Sequence, residues 1–149
     1  MKAFFKNIVT GIYNLWFFRK AIWNFRWYDY SYNLDLFQRS IQYTCRETEL
    51  KGNHTSVEES VKDMRRVIHL LKRVRSDEFI KEAEDEIGYE LKGFDFRPLE
   101  DGKGYELIDA VGTDKKKRKK VTDLARKLEE ENWQEIWKIV DGKMRNWWD

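Results

Sequence analysis

All seven tryptophans of this 149-residue chain lie at its two ends. Trp16, Trp23 and Trp27 fall within the first thirty residues, and Trp133, Trp137, Trp147 and Trp148 within the last seventeen. The first 32 residues also hold 12 of the 23 aromatics. Each indole brings a large apolar area and one N–H that wants a partner when buried. Both ends therefore read as anchors that bury either each other or something else. The first and last helices are expected to pack together through the tryptophans.

Eight glycines and one proline are too few for a sandwich or barrel, which needs many turn residues, so the composition points to helices. The charged fraction is 38%, but the aromatic content places the chain outside the disordered class. A net charge of +2 leaves any electrostatic role to local patches. Cys45 stands alone, which rules out an internal disulfide and fits a reducing cytosol. The N-terminal segment superficially resembles a signal peptide. Asn7, Gly11 and Asn14 interrupt it, however, and its longest apolar run, Leu15–Phe18, is far short of a membrane span. The triplet Asn53-His54-Thr55 fits a glycosylation sequon, which is irrelevant in a chain that is not secreted.

Residues 3–27 read as an amphipathic helix with a stripe of Phe5, Ile8, Ile12, Leu15, Trp16, Ile22 and Trp23. Every charged residue before Asp29 is basic: Lys2, Lys6, Arg19, Lys20 and Arg26. Asp29 and Ser31 can cap a second helix with Leu34, Phe37, Ile41, Thr44 and Thr48 inside, stopped by Gly52. The short connector predicts that the next helix runs antiparallel. Ser56 and Glu59 form a capping box ahead of Val57, Val61, Met64, Ile68 and Leu71, with Val67 and Val74 widening the stripe. Ser76 and Asp77 could cap a further helix, or the two segments could be continuous. Phe94–Pro98 and Tyr105–Ile108, separated by Gly102-Lys103-Gly104, predict a small hairpin or an irregular loop. Thr113 or Asp114 opens the last helix. Its stripe turns by about 140° between Leu128 and Trp133, and Asn132 with Glu135 repeats a capping pattern, so a kink or break is expected near Glu131–Asn132.

Chemistry-bearing constellations are few. Two histidines and one cysteine without paired spacing exclude a structural zinc site, and no metal site is expected. Glu58, Glu59 and Asp63, or Glu82, Asp85 and Glu86, have a spacing that can hold magnesium, but first-turn acids and exposed charge account for them. Cys45 with His54 or His69 lacks local support as a nucleophile–base pair, and no catalytic residue is assigned. Arg26, Trp27 and Tyr28 could stack on a base and pair a phosphate, or could simply fill a helix corner. Arg65, His69 and Lys72 share a basic face that could hold an anion or be solvated surface. Lys115–Lys120 suits nucleic acid or a solvated arm.

The run Trp23-Asn24-Phe25-Arg26-Trp27-Tyr28-Asp29-Tyr30, the central Met64-Arg65-Arg66-Val67-Ile68-His69-Leu70-Leu71 and the terminal Trp147-Trp148-Asp149 resemble a set of short uncharacterised proteins of tailed bacteriophages. The resemblance covers nearly the whole chain and implies a phage protein in a bacterial cytoplasm, with no catalytic residue to transfer. Such small proteins are often inhibitors, sequestering proteins or packaging parts, so an anti-defence role is one implied setting.

The reading is a mainly α single domain over residues 1–149, an antiparallel helical bundle with a small β-hairpin or loop insertion near 94–110. The expected function is non-enzymatic and cofactor-free. As a homo-oligomer, the protein would sequester an anionic nucleotide-like ligand through Arg26, Trp27, Tyr28, Arg65, His69 and Lys72, or block a host protein. Alternatives are a magnesium-dependent nucleotide hydrolase, nucleic-acid binding through Lys115–Lys120, and a membrane-surface protein with residues 1–27 on anionic lipid, although a membrane is not the expected partner.

Overall fold

Asp29 leaves the helical backbone in an extended conformation, and its carboxylate accepts from the Ser31 N–H at 2.8 Å. That cap separates two long helices, as the sequence predicts. In the computed structural model, which describes residues 2–52, 56–100 and 102–147, the elements are α1 (Lys2–Asn24), α2 (Tyr30–Lys51), α3 (Val57–Ser76), α4 (Glu78–Ile87), β1 (Phe94–Pro98), β2 (Tyr105–Asp109) and α5 (Lys115–Lys143). A 3₁₀ turn, Met144–Asn146, follows α5. The molecule is mainly α with one two-stranded antiparallel sheet. The sequon Asn53-His54-Thr55, Asp101 and the terminal Trp148-Asp149 lie outside the described residues.

The chain divides into two compact units, residues 1–75 with 135–149 and residues 76–134. In the first unit α2 and α3 run antiparallel. Asp35 pairs with Arg75 at 2.9 Å near one end, and Glu49 pairs with Arg65 at 2.5 Å near the other. Between them Ile41 and Cys45 face Val61, Met64, Val67, Leu71 and Val74, all buried. The final turns of α5 close this core. Ile136 and Trp147 are fully buried, the Thr48 hydroxyl donates to the Trp147 carbonyl at 3.3 Å, and Trp137 stacks on Phe37 with centroids 6.4 Å apart.

Gly52 ends α2 by another route than a left-handed glycine cap. Its φ is −63°, which any residue can adopt. Space is what requires glycine: a Cβ there would strike the Thr48 carbonyl oxygen and come within 2.8 Å of Val57 Cγ2. The close approach of Val57 to the end of α2 depends on the missing Cβ.

In the second unit, α4 buries Phe79 and Ala83 and ends at Gly88, whose φ of 66° supplies a left-handed C-cap. Asp77 breaks the chain between α3 and α4 with a φ of 52° and makes no side-chain cap. β1 and β2 pair in the register Phe94↔Asp109, Phe96↔Leu107 and Pro98↔Tyr105. The Asp114 carboxylate accepts from the N–H groups of Lys116 and Lys117 at 3.0 and 3.1 Å, opening α5.

The expected break in α5 and the expected packing of the end tryptophans together are overturned. α5 runs unbroken through Glu131–Asn132, and Asn132 is buried mid-helix instead of capping a new one. The change of stripe marks the sequence position where α5 passes from one unit to the other: Val121 and Ala125 are buried before it, and Ile136 after it. The N-terminal tryptophans do not join the C-terminal ones in a shared core. Trp147 is 1% exposed, whereas Trp16 is 65%, Trp23 84% and Trp27 84% exposed.

Candidate functional site

α1 carries the amphipathic pattern read from the sequence, but the apolar side faces outward. Its packed line is Tyr13, Phe17, Phe18 and Ala21. Ala21 is its one buried side chain among the described residues, and the rings of Tyr13, Phe17 and Phe18 gather around Tyr43 of α2 at 6.0, 5.3 and 6.5 Å. Arg46 of α2 adds a hydrogen bond to the Tyr13 hydroxyl at 3.2 Å. At 100° per residue, Phe4, Phe5, Ile8, Val9, Ile12, Leu15, Trp16, Ile22 and Trp23 fall in another sector, about 140° wide. All nine are exposed. The expected inner stripe is therefore the uncovered one.

The charge on this helix is one-sided. Lys20 borders the apolar sector and Lys6 stands about 60° beyond the same edge, while Arg19 lies within the sector and folds down. Its guanidinium stands 3.7 Å from the Trp16 ring centroid and donates to the Trp16 carbonyl at 2.5 Å. Arg19, Lys20, Trp23 and Asn24 line a shallow hollow of about 490 Å³. With five basic and no acidic residues before Asp29, the segment is a cationic, aromatic surface element. The first unit as a whole holds 17 basic and 10 acidic residues, and the second 12 basic and 17 acidic.

The six residues expected to bind an anion form two separate groups. Arg26, Trp27 and Tyr28 are exposed in the turn before α2, where Trp27 meets Tyr28 edge to face at 5.9 Å and Arg26 donates to the Phe25 carbonyl at 2.9 Å. Arg65, His69 and Lys72 are exposed along α3. Arg75 is opposite Asp35, so Arg26–Tyr28 lie past the Arg75 end of α3, and Arg65 is about 15 Å back along the helix from Arg75 at 1.5 Å per residue. Arg65 is held by Glu49, and its neighbour Arg66 makes a two-pronged pair with Glu135 at 2.7 and 2.9 Å. The Arg66 hydrogen bond holds the Glu135 carboxyl below the ordinary glutamate range.

Two of the candidate metal carboxylates are engaged by a lysine, and the candidate nucleophile is buried. Glu59 and Asp63 converge on Lys143 Nζ at 2.9 and 2.8 Å, so an ammonium stands where a cation would sit. Hydrogen bonds to Asp63 and Glu59 push the Lys143 ammonium above its ordinary range, and the Lys143 bond pulls Glu59 down. No group of three or more metal-ligating side chains occurs among the described residues. Cys45 is buried with its Sγ 4.0 Å from the Val61 carbonyl, and burial pushes its thiol up, against the opposing pull of Arg65. A raised pKa disfavours the thiolate that a nucleophile requires.

The second unit holds an arrangement that the sequence reading saw only in part. Alternation in the β1–β2 register puts Phe94, Phe96, Pro98, Tyr105, Leu107 and Asp109 on one face of the ribbon. Arg118, from the basic run, pairs with Asp109 and lies 4.0 Å over the Phe94 ring, while Lys117 approaches the Tyr89 ring at 5.8 Å. The register and the i, i+2 spacing of the aromatics are sequence signals that could have found this face; the docking of Arg118 against it is not.

No helix among the described residues is long and apolar enough to cross a membrane. Comparison of the chain with protein families, with curated proteins and with solved structures finds no match.

Proposed function

We propose that the protein is a non-enzymatic surface-binding protein that attaches to an anionic membrane through α1, the helix lying in the plane of the interface. The observation that carries this reading is the outward apolar sector of α1, which holds Arg19, is edged on one side by Lys20 and is free of acids. Such a helix sinks its apolar face into the headgroup–acyl boundary while its cations meet anionic lipid. Each cation near the surface contributes about 1 kcal/mol beyond the apolar burial. Arg19 and Lys20 have aliphatic stems that allow the charge to rise to the headgroups as the rings sink. A second copy is a poorer occupant. Two α1 helices face to face would bring cations together with no acid in the segment to neutralise them.

This proposal departs from the expectation of a nucleotide-sequestering oligomer, because the six residues named for that role lie in two separated groups. On its resemblance alone, we place the chain in a phage-infected bacterial cytoplasm, where the surface on offer is the inner face of the host membrane.

Vesicle flotation tests the proposal. The protein should float with vesicles containing anionic lipid and much less with neutral ones, and the double variant Lys6→Glu/Lys20→Glu should stay at the bottom. Equal flotation with neutral vesicles, or none with either kind, refutes it. Size-exclusion chromatography with light scattering decides the competing occupant: a dimer dissolved by Trp16→Ala/Trp23→Ala would assign the apolar sector to a second copy.

A further inference from the structure

We infer that the β1–β2 ribbon and the start of α5 form a second, independent site, one that binds single-stranded nucleic acid. The aromatic face is a stacking platform. Phe94 and Phe96 are two residues apart on one strand, so they stand about 6.8 Å apart at 3.4 Å per residue. Tyr105 sits diagonally across from Phe96, because its direct partner is Pro98. Phe96 is 71% and Tyr105 70% exposed, and Phe94 is half exposed. Two or three outward aromatics on a sheet face are how single-stranded bases are held, since every base offers a π-face.

Charge selects the occupant. The second unit is acidic as a whole, with 17 acidic against 12 basic residues, yet half of those 12 are the consecutive Lys115–Lys120. Cations at a helix N-terminus oppose the helix dipole, so helix stability does not account for the run. Arg118 fixes where the run lies. Paired to Asp109 and stacked on Phe94, it sets the first turn of α5 at the open end of the platform. Lys115, one turn earlier, and Lys119, the next residue, project from the same half of the helix as Arg118. Both are exposed. The one acid on the aromatic face, Asp109, is already neutralised by Arg118, while Asp95 and Glu106 point to the other face, where Glu106 pairs with Arg97. An aromatic strip open at Phe96 and Tyr105, covered at Phe94 by Arg118, with cations at that end and its one facing acid already paired, suits a polyanion with exposed planar faces. A duplex hides those faces.

Fluorescence anisotropy with the full-length protein, a labelled oligothymidylate and a duplex of equal length tests the inference. The single strand should bind more tightly than the duplex. Phe96→Ala and Tyr105→Ala should each weaken it at least about fivefold, and Phe96→Tyr, which keeps a ring, should not. Lys115→Ala/Lys119→Ala should lower the slope of log affinity against log salt by about 1.4. Trp16→Ala/Trp23→Ala should leave the affinity unchanged. No binding of the single strand at low salt, equal binding of the duplex, alanine variants within twofold of wild type, or loss through the α1 variant would each overturn the site.

Discussion

Trp147→Ala and Trp23→Ala remove the same side chain from opposite ends of the chain, and the structure predicts opposite consequences. Trp147 is fully buried in the core closed by α2, α3 and the end of α5, so truncation leaves an indole-sized cavity. A buried tryptophan cut to alanine costs about 3–5 kcal/mol. At about 2–4 °C per kcal/mol for a chain of this size, the melting temperature should fall by about 6–20 °C. Trp23 is 84% exposed, so its loss should alter stability by less than about 0.5 kcal/mol. Its effect should appear on lipid instead. Exposure of 84% of an indole side chain of about 200 Å² leaves about 170 Å² to bury, worth about 4 kcal/mol if wholly immersed and about 2 kcal/mol if half immersed. The half-immersed case is about thirty-fold in partitioning. Calorimetric melting of both variants, beside their binding to anionic vesicles, reads the two effects separately. A Trp23→Ala melting temperature lowered as much as that of Trp147→Ala would refute the reasoning, because it would make α1 part of a core.

Gly52→Ala should destabilise by about 1–3 kcal/mol through overpacking against Thr48 and Val57, whereas Gly11→Ala, whose Cβ meets nothing within 4 Å, should be stabilising by up to about 1 kcal/mol; denaturant unfolding of each measures this. Cys45 should resist alkylation at pH 8 in the folded protein and react at once in denaturant, because burial both covers the thiol and raises its pKa; labelling followed by mass spectrometry tests both conditions. Glu135 is held below its ordinary value, so its contribution is present above about 4.5 and is lost as pH falls from there through the lower folded value. The pair is exposed, so Arg66→Ala should cost well under 1 kcal/mol at neutral pH and flatten the acid limb of the stability profile by a similar amount.

Helices, caps and the hairpin were legible because each rests on local chemistry. Asp29 and Asp114 offer carboxylates to N–H groups within three residues, and the α3 stripe repeats at a spacing only a helix can bury on one side. What was not legible depends on partners distant in sequence. The jump of the α5 stripe between Leu128 and Trp133 looks the same whether a helix breaks or serves two units in succession; Asn132, a cap by pattern, is a buried mid-helix residue by structure. Gly52 ends α2, as the sequence predicts, without the left-handed backbone angle that a glycine after a helix commonly supplies. Its real constraint, the room left by Val57, comes from the next helix.

The tryptophan asymmetry carries the same lesson for function. Periodicity identifies which side of a helix is apolar but is silent on whether that side meets protein or something else, since both require the same stripe. Charge sign is the signal that separates them. A helix packed into a protein core borders its stripe with both signs, as α3 does with Glu59, Asp63, Arg65 and Arg66, and several of these find partners on α2 and α5. The charged residues of α1 are lysine and arginine alone, so it offers no acid to the basic surface of its own unit. On the membrane attachment proposed above, this uniformly cationic, aromatic and apolar character is what an anionic surface would meet. By that criterion Trp16 and Trp23 could have been separated from Trp147 by the absence of acidic neighbours, before any coordinates were known.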